Sequence, residues 1–330
     1  MLAPHNTPSR HCLFAATFPP LAQVPSLYTV VFSDRSRKTE SQIWVFNPLI
    51  TPSYSQPLSQ EHNSLLTSHL KSLLIFLKVT VIPDAPGHPF NPILRFACLD
   101  ETITNCLTTL LSSPSSLIPY HTCWNLYLIP TIPSPISSHL SESVDNGTID
   151  IEKFPGITSR NNSNQKGQVN SSILSGAEQS SLPNDLLQSF TISRVPPEHI
   201  DLVVSTSSIP REASTLLAQP SLCFLTSSNE MVAWAFIGID GTLATLYVLP
   251  SHRGQGLATH IARELVLRLG RGDFRDLGFS GESGWVHSDV KEGNLGSEGV
   301  MRGLGGKRSW VSSYLWVDCG ELDDRWMNER

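Results

Sequence analysis

Residues 246–270 read LYVLPSHRGQGLATHIARELVLRLG. An apolar run ends at Pro250, and Arg253-Gly254-Gln255-Gly256 follows as a loop. From Leu257 to Leu269 the apolar residues Leu257, Ile261 and Leu265 return at the spacing of one helix face. Two glycines, one residue apart, therefore stand where a strand hands over to a helix. The first turn of a helix carries backbone N–H groups without intrahelical partners, at the positive end of its dipole. Glycines remove Cβ atoms there, so an anion can approach the backbone closely. A pyrophosphate is the natural guest. A tight connection that needs flexible residues explains the same letters, because a lone Gly-x-Gly is a weak signal.

The neighbours narrow the choice. Upstream, SLCFLTS (221–227) and MVAWAFIG (231–238) flank the turn residues Ser227, Ser228, Asn229 and Glu230, which reads as a β-hairpin. Asp240-Gly241 is a turn signal, and TLATLYVL (242–249) is the third strand of an antiparallel meander. A dinucleotide fold fails here on two counts. Thr259 stands where the fingerprint needs its third glycine, and parallel strands with crossover helices are missing. Downstream, GWVHSDV (284–290) reads as a strand and EGNLGSEGVMRGL (292–304) as a short helix of poor propensity. KRSWVSSYLWVDC (307–319) alternates Trp310, Tyr314 and Trp316 with Val311, Leu315 and Val317, so it reads as a strand buried on both sides.

At 330 residues the chain has room for two domains, at roughly 100–200 residues each. Its net charge is −6 without long runs of either sign, so a broad nucleic-acid footprint is not expected. No segment reaches the roughly 18 consecutive apolar residues of a membrane helix, and the N-terminal apolar patch is a poor signal peptide. The six cysteines are scattered without a Cys-x-x-Cys pair, which suggests neither a zinc site nor a disulfide scaffold. The expectation is a cytoplasmic protein that binds neither membrane nor nucleic acid and holds no metal.

Composition divides the chain in three. Residues 131–184 are dominated by Ser, Asn, Gly and Pro and read as a disordered linker, unable to bury enough apolar surface to offset ordering. Residues 1–130 read as an α+β domain. It has a hairpin from SLYTVVFSD and SQIWVFNPL joined by RSRKTE, then a leucine-rich helix over Leu65–Leu77. Next come a strand ILRFACL, a helix capped by Asp100, and a final strand CWNLYLIP. Residues 185–330 hold the glycine loop.

Over Pro210 to Asp318 this pattern resembles the GNAT superfamily of acyl-CoA-dependent N-acyltransferases, in its glycine N-acyltransferase-like branch. LYVLPSHRGQGLA carries the resemblance, with Arg253, Gly254, Gln255, Gly256, Leu257 and Ala258 on the family's loop motif. It implies an α+β GNAT-like fold with a mixed, mostly antiparallel central sheet, a splayed strand pair and flanking helices. Residues 185–330 would form the N-acetyltransferase domain, and 1–130 a smaller domain that could be a degenerate GNAT-like half. It implies acetyl-CoA or another acyl-CoA as co-substrate and a small-molecule or peptide amine as acceptor. The oligomeric state is not readable.

The resemblance also assigns residues. Amides from Gly254 to Ala258 would take the CoA pyrophosphate, with Arg253 adding charge. The strand Leu246, Tyr247, Val248, Leu249 would run beside the pantetheine arm, and an N–H near Val248 or Leu249 would serve a developing oxyanion. Asn294, with Ser297 nearby, would contact CoA; Asn294 equally suits a helix N-cap. The family's proposed glutamate falls on Thr242, and its acidic tyrosine on Met301. Candidate bases are therefore His287 and Asp289, which alternation puts on one side of a strand, and Asp240, which also suits a turn. Both departures keep a second reading open, a catalytically impaired acyl-CoA-binding protein.

Overall fold

Local sequence accounts for most elements of the computed structural model, which describes residues 12–19, 22–34, 41–51, 53–54, 56–79, 92–112, 117–131, 189–207 and 209–322. From residue 132 onward the 131–184 linker lies outside the described residues, as does RSRKTE. The first part runs β1 (Cys12–Ala16), β2 (Val30–Asp34), β3 (Ile43–Phe46), α1 (Gln60–Val79), β4 (Ile93–Leu99), α2 (Glu101–Leu110) and β5 (Tyr120–Pro130). On α1, Leu66, Leu70, Leu73, Leu74 and Leu77 are buried, as their helical spacing requires. Asp100 caps α2, its Oδ1 accepting the Thr102 N–H at 2.7 Å.

The second part runs β6 (Thr191–Ser193), α3 (Ile200–Thr206), α4 (Ala213–Leu217), β7 (Ser221–Leu225), β8 (Met231–Ile237) and β9 (Leu243–Val248). It continues with α5 (Leu257–Arg271), β10 (Trp285–Val290), α6 (Leu295–Gly303) and β11 (Lys307–Asp318). Leu257, Ile261, Leu265 and Leu269 form the buried stripe of α5, packed with β7–β9 and with Val286 and Val290 of β10. Gly272 ends the helix in a left-handed conformation.

Two sheets result. One is four-stranded, in the order β6-β7-β8-β9, and antiparallel throughout. The other is seven-stranded, in the order β1-β2-β3-β4-β11-β5-β10, with β3–β4 its parallel pairing. In this larger sheet β11 enters between β4 and β5, and β5 in turn lies between β11 and β10. The split into 1–130 and 185–330 therefore divides the sequence but not the sheet. The cause is pairing: without β11, β4 and β5 would each present an open edge of N–H and C=O groups.

The strand β11 corrects one expectation. Leu315 and Val317 are buried with the leucines of α1 and α2, but on the opposite face Tyr314 and Trp316 are only half-buried and Trp310 is exposed. A register shift between Arg308 and Val311 marks where the strand leaves regular pairing with β5.

β9 and β10 belong to different sheets and touch at one end. Thr242 forms an isolated parallel bridge with His287, the His287 N–H donates to Gly241 O at 3.2 Å, and Ser288 Oγ donates to Leu243 O at 3.0 Å. Beyond these bonds β9 keeps to β8 and β10 to β5. Thr245 has φ 52° at a register shift against Trp234–Phe236, and such a bulge increases strand twist and carries β9 away from its neighbour. The strands thus part as a V with its vertex at Thr242 and His287.

Candidate active site

The open arm of the V leads to the glycine loop. After β9, Leu249 starts a short turn over Pro250–His252, and Gly254 and Gly256 then adopt φ 76° and 78°. Only glycine takes these values without strain. Gly256 is the N-cap of α5, and the first intrahelical bond is His260 N–H to Gly256 O at 3.2 Å. The amides of Leu257, Ala258 and Thr259 thus precede the helical ladder. A Cβ on Gly254 would meet nothing within 4 Å, so the space beside this loop is open. Leu257 is itself buried, so only its backbone can serve a ligand there. Gln255 and Ala258 are half-buried beside it. These features fit a pyrophosphate.

The cofactor-side residues are already partly engaged within the protein. The side chain of Arg253 folds back onto β9, its Nε donating to Val248 O at 3.0 Å and its guanidinium lying 5.4 Å from the Tyr247 ring centroid. Tyr247 also stacks on Trp234, which fixes its ring against β8. Leu249 is not an oxyanion donor, because its N–H is bonded to Val232 O at 2.9 Å. That same bond makes Ala233–Val248 the non-hydrogen-bonded pair of the β8–β9 ladder. The N–H of Val248 therefore points away from β8, toward the side where β9 and β10 diverge. Asn294 caps α6, its Oδ1 accepting the Ser297 N–H at 3.1 Å, as the N-cap reading expects. Nor is His260 a ready cation for phosphate: burial, then Arg263, holds its imidazole below the ordinary value.

At the vertex the structure brings Asp240, His287 and Asp289 into one cluster. Asp240 and His287 are 6% and 3% exposed, so their polar atoms depend on protein partners. Asp240 Oδ1 accepts the Thr242 N–H at 3.0 Å and the Thr242 hydroxyl at 2.6 Å. The Thr242 hydroxyl is the donor in the second of these bonds. The hydroxyl must then accept from His287 Nε2, 2.8 Å away. This assigns the Nε2–H tautomer and leaves the lone pair on Nδ1, which is buried without a hydrogen-bond partner. Asp240 thus acts both in the turn and as the orienting carboxylate of a relay, Asp240–Thr242–His287.

Asp289 is organised by different groups. Its Oδ2 accepts from the Tyr314 hydroxyl at 2.6 Å, its Oδ1 from Ser312 Oγ, and the Cys98 thiol lies 3.7 Å from Oδ2. Cys98 also stands 3.5 Å from Tyr314 and 3.8 Å from His287 Nε2. Burial, reinforced by Asp289 and Asp240, pushes the Cys98 thiol well above its ordinary range. Burial likewise raises Tyr314, with Cys98, Asp289 and Asp240 adding to it. Both groups therefore hold their protons. Cys98 has φ 52° at an irregularity in the β4–β11 register, which turns it toward β10.

Cys98, Ser312 and Tyr314 were not anticipated from sequence. Met301, where the family's tyrosine falls, is instead buried in the core, and Tyr314 from β11 brings a phenol to the cluster. Ligand atoms of Cys98, Asp240 and His287 lie within 4.8 Å of one another, a spacing open to a metal ion. A ligating Nε2 would need its proton on Nδ1, however, and Nδ1 has no acceptor to hold it. Proton handling fits the donor set better.

A glycine-hinged helix start, a parted strand pair and a proton-handling vertex together define the class, an acyl-CoA N-acyltransferase fold. Residues 2–162 match the family model of the acyl-CoA N-acyltransferase verG N-terminal domain, and residues 223–274 match that of FR47-like protein. The two matched stretches and the fold are those of a GNAT-like protein. A Drosophila protein of known structure is similar in fold, at 14% identity and a TM-score of 0.52, over 89% of this chain and 75% of that one. A GCN5-related N-acetyltransferase from Kribbella flavida aligns at 12% identity and a TM-score of 0.42, over 92% and 91% of the two chains. A tandem GNAT protein from the clavulanic acid biosynthesis pathway aligns at 9% identity and 0.41, over 96% and 86%. No curated protein matches the chain. Among the described residues no helix is long and apolar enough to cross a membrane.

Proposed function

We propose that the protein transfers an acyl group, acetyl in the simplest case, from acyl-CoA to a primary amine by direct attack in a ternary complex. One observation carries this reading: the vertex of the parted strands holds a buried relay, and the open arm ends at the glycine-hinged start of α5. The CoA pyrophosphate lies against the amides of Leu257, Ala258 and Thr259, and the pantetheine arm follows Leu246 to Val248. The amine nitrogen forms a bond to the thioester carbon while the carbon–sulfur bond breaks. The Val248 N–H, which points to the open side of β9, pairs with an amide carbonyl of the pantetheine arm.

Two protons must move. The incoming ammonium, held by Asp289, passes one to the imidazole of His287, whose ring Asp240 orients through Thr242. As the amide forms, the departing thiolate takes a proton from Tyr314, the second proton of the nitrogen restores the Tyr314 phenol, and His287 later releases its proton to solvent, the one net proton of the reaction. The fully protonated state of Tyr314 suits that role. The test is release of CoA thiol from acetyl-CoA over a panel of amines, with CoA affinity measured by calorimetry. Amine-dependent release supports the reading. No release and no CoA binding overturns it, whereas tight CoA binding without release selects a catalytically impaired acyl-CoA-binding protein.

A further inference from the structure

The same cluster restricts which amine can enter, an inference that rests on the acyltransferase reading. We propose that the acceptor is an arylalkylamine: an amine on an aromatic body, without a carboxylate on the carbon that bears the nitrogen. The first ground is charge. Asp240 and Asp289 face the vertex, and among the described residues no lysine or arginine lies within 4 Å of either; the ion pair of Asp240 is with His287, at 3.7 Å. A cationic nitrogen is favoured beside two carboxylates, and an α-carboxylate carried with it is repelled.

The second ground is what stands next to Asp289. Directly paired strand residues point to the same face, so Trp124 stands beside Ser312, and Tyr120 beside Trp316. The face opposite carries Leu315 and Val317, buried with α1 and α2. The Trp124 side is only half-buried, and Tyr120 is 41% exposed. Half-exposed aromatic surface continuous with a proton-handling cluster matches a flat apolar substrate better than solvent. Arg95 lies over the Trp316 ring, 4.5 Å from its centroid, so that ring is already engaged and Trp124 offers the nearer open surface. Lys307, paired through Leu128 with His287, is the other cation on this face, and it is exposed at the strand end.

The experiment is calorimetric binding of four amines to the protein saturated with desulfo-CoA, so that no turnover is needed. Tryptamine is expected to bind about tenfold more tightly than tryptophan, from which it differs by the carboxylate, and about fivefold more tightly than butylamine. Glycine is expected to bind more weakly than any of these. Trp124→Ala should weaken tryptamine about tenfold with CoA affinity unchanged, and Trp124→Phe should recover most of the loss. Equal binding of tryptophan and tryptamine, stronger binding of glycine, or an indifferent Trp124→Ala overturns the proposal. Thiol release with glycine but not tryptamine would leave the acyltransferase reading standing and remove this one. Tryptamine binding without any thiol release would remove the acyltransferase reading and, with it, the assignment of an acceptor.

Discussion

Thr242→Val removes one hydroxyl and keeps the shape of the side chain. That hydroxyl donates to Asp240 at 2.6 Å and accepts from His287 Nε2 at 2.8 Å. Asp240 retains the backbone N–H of residue 242, so its loss is partial. His287 loses its one close partner, because Nδ1 already has none and the next neighbours of Nε2 lie at 3.7 and 3.8 Å. A buried donor left unsatisfied costs about 1–3 kcal/mol, and the weakened carboxylate adds to this, for a total of about 2–4 kcal/mol. In a chain of this size that lowers the melting temperature by about 5–12 °C. Catalysis should fall more steeply, because an unoriented imidazole forfeits a contribution of about 10²–10⁴ in rate. Thr242→Ser is the control; it keeps both bonds and should stay within about tenfold of the parent rate. The assay is kcat by thiol release alongside thermal melting. If Thr242→Val and Thr242→Ser melt together and turn over equally, the relay does not exist as described.

Further outcomes follow from other atoms of the site. Gly256→Val forces a β-branched residue to φ 78° and sets side-chain atoms at the helix start. Saturating CoA, which should raise stability of the parent by about 2.7 kcal/mol at 100 times its Kd, should raise that of the variant by nothing measurable. Tyr314→Phe should lower kcat by roughly 10²-fold with CoA affinity unchanged, read by steady-state kinetics and calorimetry; an unchanged kcat removes Tyr314 as proton donor. Burial pushes the Cys319 thiol from 9.0 up to about 12. The folded state then keeps a proton that the unfolded chain gives up. The stabilisation is whole below the unfolded value and falls by about 1.4 kcal/mol per pH unit between the two, with Cys98 acting in the same direction. Urea titrations at pH 8 to 11 should show a flatter decline for Cys319→Ala than for the parent.

The sequence exposes what is local and hides what is paired at long range. The Asp100 cap, the leucine stripe of α1 and the glycine loop before α5 each depend on a few consecutive residues, and each is legible. The V also follows from adjacent pieces: the Asp240-Gly241 turn, β9 and β10. Asp240, His287 and Asp289 converge as alternation along β10 suggests. Cys98 does not announce itself, because it meets His287 across 189 residues of sequence through strand pairing that no local period encodes. Ser312 and Tyr314 lie in a strand whose alternation reads only as apolar on both faces. The fates of Arg253 and Leu249 were equally hidden, because each is decided by one hydrogen bond at the end of β9.

The interleaving of β5 and β11 within one sheet also brings the first part of the chain to the cluster. It delivers Cys98, and through β5 it supports both strands that hold Asp289, Ser312 and Tyr314. A second glycine loop is not needed for that. The residues matched by the verG N-terminal model thus help to build the site even though they lack the phosphate-binding motif.

The central claim is that acyl-CoA lies in the V between β9 and β10 with its thioester at the vertex. A crystal structure with a non-hydrolysable acetyl-CoA analogue tests it most directly. The account predicts the pyrophosphate on the amides of Leu257, Ala258 and Thr259, the pantetheine arm along Leu246 to Val248, and the acyl group at the vertex beside Thr242 and His287. An analogue bound outside the V, or one whose acyl group points away from Thr242 and His287, would contradict it.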